Sequence, residues 1–143
     1  MAERARGGRA RRPTRAAEPP RPRILVVDDD AAVRELLVEA LGLRQYAVTA
    51  VASVQEAEEV RQRVGPEAIA LVIADVRLTP TGQEGYELYQ RWKAAHPTMR
   101  FLLMSGDPHS RTLPDVATGA VPFLSKPFTI QELLDRVRDL IGP

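Results

Sequence analysis

Short apolar runs alternate five times with segments of helical period from residue 23 onward, and this alternation restricts the fold more than any other feature. A strand covered on both faces reads as an unbroken apolar run, and a parallel sheet interleaves such runs with amphipathic crossover helices. Residues 24–27, ILVV, form the first run, and Val33, Leu36, Leu37, Ala40 and Leu41 follow at spacings of three and four. A second, weaker strand is placed at 47–52. Ser53 with Glu56 has the spacing of a capping box and opens a helix that runs to about Val64, before Gly65-Pro66. Residues 69–74 are apolar throughout, mark a central third strand and end on Asp75. A Thr/Pro/Gly-rich loop leads to a helix at 83–95, ended by His96-Pro97. The fourth strand, 101–104, ends on Ser105-Gly106. Residues 107–118 are helix-like but interrupted by Pro114, so that helix is expected to be short or irregular. The last strand, 121–125, ends on Lys126 and contains Pro122, which cannot donate to a ladder and assigns the strand to an edge. Thr129 and Glu132 form another capping box, and Ile130, Leu133, Leu134, Val137, Leu140 and Ile141 make the apolar face of the final helix. The expected fold class is α/β: a doubly wound, five-stranded parallel sheet with helices on both faces.

Composition narrows the chemistry. The 143 residues suffice for one domain of ordinary size. With no Cys, disulfides, thiolate metal sites and cysteine nucleophiles drop out. The longest wholly apolar run, 68–74, falls far short of the ~20 residues a membrane-spanning helix needs, so no membrane span is expected. The net charge of +1 hides an asymmetry: residues 1–23 carry a balance of +6 and the remainder −5. Residues 1–22 are therefore read as a disordered, basic Arg/Pro/Ala-rich leader and 23–143 as the folded domain. The leader has neither the apolar core of a secretory signal nor the Ser content of a transit peptide. Such an arm suits nucleic acid or an anionic surface, and a solvated tail is the simpler reading of the same composition.

In open α/β sheets ligands bind outside the carboxyl ends of the strands, which directs attention to Asp28, Asp29, Asp30, Asp75, Ser105 and Lys126. Singly, each has an ordinary explanation. Asp30 suits the N-cap of the first helix, Asp28 and Asp29 favour the same helix dipole, Asp75 can begin a turn, and Ser105 and Lys126 can be solvated. Together they need more, because converging carboxylates repel one another unless a cation lies between them. Mg²⁺, holding waters and a phosphoryl oxygen, fits so few carboxylates better than a Ca²⁺ cage does. A carboxylate beside such an ion is a nucleophile towards phosphorus, and the Ser105 hydroxyl and Lys126 ammonium would take charge from the equatorial oxygens. His96, beside Pro97, and His109, in a polar loop, are read as surface residues.

With these positions the chain resembles the receiver domain of bacterial two-component response regulators from Arg23 to about Ile141. The resemblance rests on four motifs in order, "ILVVDDD", "LVIADVRL", "FLLMSGD" and "FLSKPFT". The run "MSGD…GAVPFLSKPF" looks most like receivers of hybrid sensor kinases or free-standing relatives such as the chemotaxis response regulator. The resemblance implies a flavodoxin-like strand order 2-1-3-4-5. It implies Asp75 as phosphoacceptor, and Asp28, Asp29, Asp75 and the backbone carbonyl of Arg77 around Mg²⁺. Ser105 and Lys126 would bind the phosphoryl group, Ser105 and Phe123 would act as switch residues, and the Lys126–Pro127 bond would be cis. It also implies a cytoplasmic protein, monomeric or weakly dimeric. Its partners would be a sensor histidine kinase or histidine phosphotransfer protein and an unknown downstream protein. The segment "RLTPTGQEGYEL" is about two residues longer than the usual loop, which leaves the alignment of residues 78–84 open.

With two residues after Ile141 and no room for a domain before Arg23, a single-domain regulator acting through protein contact is expected, not an enzyme with turnover of its own. Two alternatives stand beside it. A Mg²⁺-dependent phosphohydrolase resembling haloacid dehalogenases would take its nucleophile from an Asp-x-Asp arrangement, which 28–30 formally contains, but it would lack a cap domain and leave Asp75 unexplained. A nucleic-acid binder would act through the basic leader, with the folded body as its regulator.

Overall fold

Alternation of apolar and amphipathic segments folds into the layered arrangement it implies. The computed structural model describes residues 21–142, so the leader expected at 1–22 lies outside it except for Arg21 and Pro22. In chain order the elements are β1 (Arg23–Val27), α1 (Ala31–Gly42), β2 (Ala47–Val51), α2 (Val54–Val64), β3 (Leu71–Asp75), α3 (Glu84–Ala95), β4 (Phe101–Ser105), α4 (Pro114–Ala117), β5 (Phe123–Ser125) and α5 (Ile130–Ile141). All neighbouring strands pair in parallel, in the order β2-β1-β3-β4-β5. This is the flavodoxin-like order 2-1-3-4-5, whose winding reverses between β1 and β3 and opens a crevice at their carboxyl ends.

Side chains along each strand alternate between two cores. Ile24, Val26, Ile73, Leu102 and Met104 pack with Leu37 and Leu41 of α1 and Leu133 and Val137 of α5. Leu25, Val27, Val72, Ala74 and Leu103 pack with Ala57 and Val60 of α2 and Tyr86, Tyr89 and Trp92 of α3 on the other face. β3 and β4 are buried at every position, as their unbroken apolar runs require.

Several boundaries differ from expectation for local reasons. The third strand begins at Leu71 instead of Ile69, because Gly65-Pro66 opens a 3-10 turn over Pro66–Ala68 and the Ile69 amide is spent on Pro66. It also extends to include Asp75, which pairs with Met104. The last strand is Phe123–Ser125, shorter than 121–125: the Pro122 carbonyl accepts from Leu103, but its nitrogen cannot donate. β5 is an edge strand. The interruption expected within 107–118 is present: Pro114 divides a 3-10 turn, Pro108–Thr112, from the single helical turn of α4. Asp30 caps α1 by accepting from Ala32, and Thr129 with Glu132 completes the capping box of α5. At α2 the Ser53 hydroxyl accepts from Glu56 as expected, while the Glu56 carboxylate reaches one residue further back, to the amide of Ala52.

Candidate functional site

The strands deliver their terminal residues to one end of the sheet. Asp28 follows β1 and is wholly buried, and its Oδ1 accepts from the Asp30 amide at 2.9 Å. The Arg34 guanidinium, one turn into α1, donates to the Asp28 carbonyl at 2.7 Å and fixes the peptide that leads into Asp29. Asp75 closes β3, 8% exposed, with Oδ1 accepting from the Arg77 amide at 3.0 Å. Lys126 follows β5, where its amide donates to the Ser105 carbonyl, and its ammonium bridges both acids, 2.9 Å from Asp28 Oδ2 and 2.6 Å from Asp75 Oδ2. The peptide between Lys126 and Pro127 is cis.

These neighbours set the protonation of the site. Burial alone would lower the Lys126 pKa, but the hydrogen bonds from Lys126 to Asp75 and Asp28 outweigh it and raise it above the usual lysine range. Burial pushes the Asp75 carboxyl above its ordinary value, a rise that Lys126 and the Arg77 amide only partly offset and to which the Asp28 charge adds.

One carboxylate oxygen from each of Asp28, Asp29 and Asp75 lies within 4.8 Å of the other two. Asp29 is exposed and takes part in no hydrogen bond or ion pair among the described residues, so a hard cation could claim it freely. An all-oxygen donor set with few carboxylates and an open side fits Mg²⁺. Asp30 is occupied as the α1 cap and does not join the cluster, so the Asp-x-Asp pair of the phosphohydrolase alternative is not assembled.

The remaining expected residues lie around this centre. Ser105 is buried at the end of β4, where its Oγ accepts from the Asp107 amide at 3.0 Å and from the Ser110 hydroxyl at 2.7 Å. It makes no hydrogen bond to Asp75 or Lys126. Phe123 is half-buried on β5 against the core, with the Arg111 guanidinium 5.9 Å from its ring centroid. Arg77 lies beside the acids, its guanidinium donating to the Pro80 carbonyl at 2.6 Å and pairing with Asp107. His109 is largely exposed, with its Nδ1 3.3 Å from the Asp107 carboxylate, and His96 is half-buried. The long loop after β3 is held by Glu84, whose carboxylate accepts from the Leu78 amide at 3.1 Å and the Thr79 hydroxyl at 2.6 Å.

Three neighbours of the site escaped the sequence reading: Arg34, Ser110 and Gly85. Gly85 carried a usable signal, since glycine in the first turn of a helix weakens it and marks close approach. A Cβ there would lie 1.7 Å from the Asp75 carbonyl oxygen. Arg34 and Ser110 act through contacts that no local spacing reveals.

The family model of the response regulator receiver domain matches residues 24–138. The chain is 34% identical over 121 residues to the sensor kinase CckA of Brucella abortus (strain 2308), covering 82% of this chain and 12% of CckA. It is likewise 34% identical over 120 residues to the response regulator MprA of Mycobacterium leprae (strain TN), covering 83% and 50%. The chain thus spans half or less of the length of these curated relatives. Among solved structures, the non-phosphorylated receiver domain of HemR from Leptospira biflexa superposes with a TM-score of 0.73 at 31% identity, covering 86% of this chain and 96% of that one. TrrA from Thermotoga maritima, in complex with Mg²⁺-BeF, superposes with a TM-score of 0.70 at 28% identity, covering 83% and 98%.

Proposed function

The chain belongs to the response regulator receiver domain family, and on that footing we propose that it is a phosphorylation-activated signalling switch. In this reading Asp75 accepts a phosphoryl group from the phosphohistidine of a sensor kinase or histidine phosphotransfer protein. The observation that carries it is the Asp75 carboxylate at the switch-point crevice, with the Lys126 ammonium at 2.6 Å and the carboxylates of Asp28 and Asp29 close by.

Asp75 attacks phosphorus in line while the P–N bond of the donor breaks, and the imidazole leaves with the bonding pair and takes up a proton. Lys126 opposes the burial that raises the Asp75 pKa, and its hydrogen bonds could pass to the phosphoryl oxygens. Mg²⁺, held by Asp28, Asp29, Asp75 and the Arg77 carbonyl, would supply positive charge to those oxygens. Ser105 and Phe123 would then change position and alter the face made by α4, β5 and α5, which an unknown downstream protein reads. Self-phosphorylation and self-dephosphorylation are the only chemistry this requires. The switch would act in the cytoplasm, in keeping with the absence of any helix, among the described residues, long and apolar enough to cross a membrane. The basic composition of the leader would suit contact with nucleic acid.

Intact-mass spectrometry after incubation with Mg²⁺ and acetyl phosphate tests this reading. One acid-stable, base-labile phosphoryl adduct is expected on the wild type and none on Asp75→Asn. An adduct of equal stoichiometry on the variant, or steady multiple turnover of a phosphomonoester by the wild type, would overturn it.

A further inference from the structure

The 3-10 turn Pro108–Thr112 touches both expected switch positions. From it the Ser110 hydroxyl reaches Ser105 Oγ at 2.7 Å, and Arg111 donates to the Ser125 hydroxyl while lying over the ring of Phe123. Ser110 is 3% exposed, and its hydroxyl has no other partner among the described residues. We propose that Ser110 is a positioning residue that retains the Ser105 hydroxyl on the turn after β4, away from Asp75, and so sets how strong an acceptor is needed to trip the switch. This rests on the reading of Asp75 as phosphoacceptor.

A serine hydroxyl has two acceptor lone pairs and one proton to donate. Ser105 spends both lone pairs, on the Asp107 amide and the Ser110 hydroxyl, and keeps its proton uncommitted. The reverse arrangement, with Ser105 donating to Ser110, would leave the Ser110 proton buried without an acceptor. Swinging Ser105 towards Asp75 breaks both bonds and strands the Ser110 hydroxyl in the interior, a loss that disfavours the swung state by about tenfold or more. A phosphoryl oxygen, which only accepts, offers the charge-assisted hydrogen bond able to compensate that loss; a neutral or transient acceptor does not. Departure of Ser105 also frees one hold this turn has on its surroundings, while Arg111 remains against β5. Events at Asp75 thereby become linked to Phe123 through a single short element.

Beryllofluoride with Mg²⁺ stands in for the phosphoryl group on a carboxylate, and its affinity can be measured by calorimetry. Ser110→Ala is expected to bind it roughly three- to tenfold more tightly than wild type, because the retaining bond is gone. Ser110→Thr, which keeps the hydroxyl, should stay near wild type. In a Ser105→Ala background, Ser110→Ala should change nothing, since the two residues act through one contact. Unchanged or weaker binding by Ser110→Ala would overturn the proposal, as would an equal gain in the Ser105→Ala background, which would mark a general loosening of the fold. If the wild type takes up no beryllofluoride, or Asp75→Asn takes it up equally well, the reading of Asp75 itself falls.

Discussion

At the scale of single residues, the tightest constraint on the site is a missing side chain. Gly85 sits in the first turn of α3 with its amide donating to the Val76 carbonyl at 3.0 Å, and its Cα faces the Asp75 carbonyl so closely that no Cβ fits. The obstacle is backbone, which cannot rotate aside as a flexible side chain can. Gly85→Ala must therefore displace either the start of α3 or the end of β3, and the second moves the Asp75 carboxylate. A destabilisation of about 1–3 kcal/mol is expected, as for other overpacked positions. Chemical denaturation will measure it, and phosphorylation by acetyl phosphate should fall with it. A variant as stable and as readily phosphorylated as wild type would show that the approach is relieved without moving Asp75.

At the scale of elements, the helices over α2 and α3 are joined by a polar tie that periodicity does not reveal. Glu58 on α2 accepts from the Arg91 guanidinium at 3.0 Å and the Trp92 indole at 3.2 Å, both on α3, and pairs with Arg61 at 3.2 Å. Burial alone would raise its pKa, but these hydrogen bonds outweigh it and lower it below the ordinary glutamate value of 4.5. A lowered folded-state pKa stabilises above the unfolded value and ceases to do so as pH falls through the folded one. Glu58→Gln should thus cost up to about 1 kcal/mol at neutral pH, and the difference from wild type should vanish in acid below the glutamate range, as read by denaturant titrations at several pH values. A cost that stays constant down to strong acid would assign the tie to packing instead of charge. Tyr86 and Tyr89 tie α3 to α4 in the same manner, through the Asp115 amide and carboxylate, and burial with that bond pushes the Tyr89 hydroxyl up to about 12. Legibility follows the same division. Strands buried on both faces and helices with a stripe of leucines were readable, because burial imposes its period on the chain, and Asp28, Asp29, Asp75, Ser105 and Lys126 were readable because strand ends converge in this topology. The start of β3 and the shortness of β5 depart from the apolar pattern, since one turns on where the Ile69 amide finds its acceptor and the other on Pro122, which has no N–H to donate, whereas the break within 107–118 is legible from Pro114. Glu58, Arg34 and Ser110 were invisible because their partners lie on other elements or across a turn.

At the scale of the whole molecule, folding gathers three carboxylates against one ammonium at one end of the sheet, groups that the unfolded chain keeps far apart. A divalent cation that uses this cluster binds the folded chain and not the unfolded one, so it must raise stability by mass action. At a hundredfold excess over its dissociation constant the gain is about 2.7 kcal/mol, which for a domain of this size corresponds to roughly 10 °C in Tm. Asp29→Ala removes the one exposed ligand and should lose most of that shift while leaving the metal-free Tm unchanged or slightly higher, because it also removes repulsion from Asp28 and Asp75. Lys126→Ala should behave in the opposite way. It strips two buried carboxylates of their counter-charge, lowers metal-free stability by about 3–5 kcal/mol, and makes the fold lean more heavily on Mg²⁺. Thermal denaturation of the three proteins with Mg²⁺ and with a chelator separates these contributions. An Asp29→Ala shift equal to that of wild type would mean that the ion binds elsewhere, whereas opposite responses of the two variants would tie the stability of the whole sheet to the charge collected at its carboxyl end.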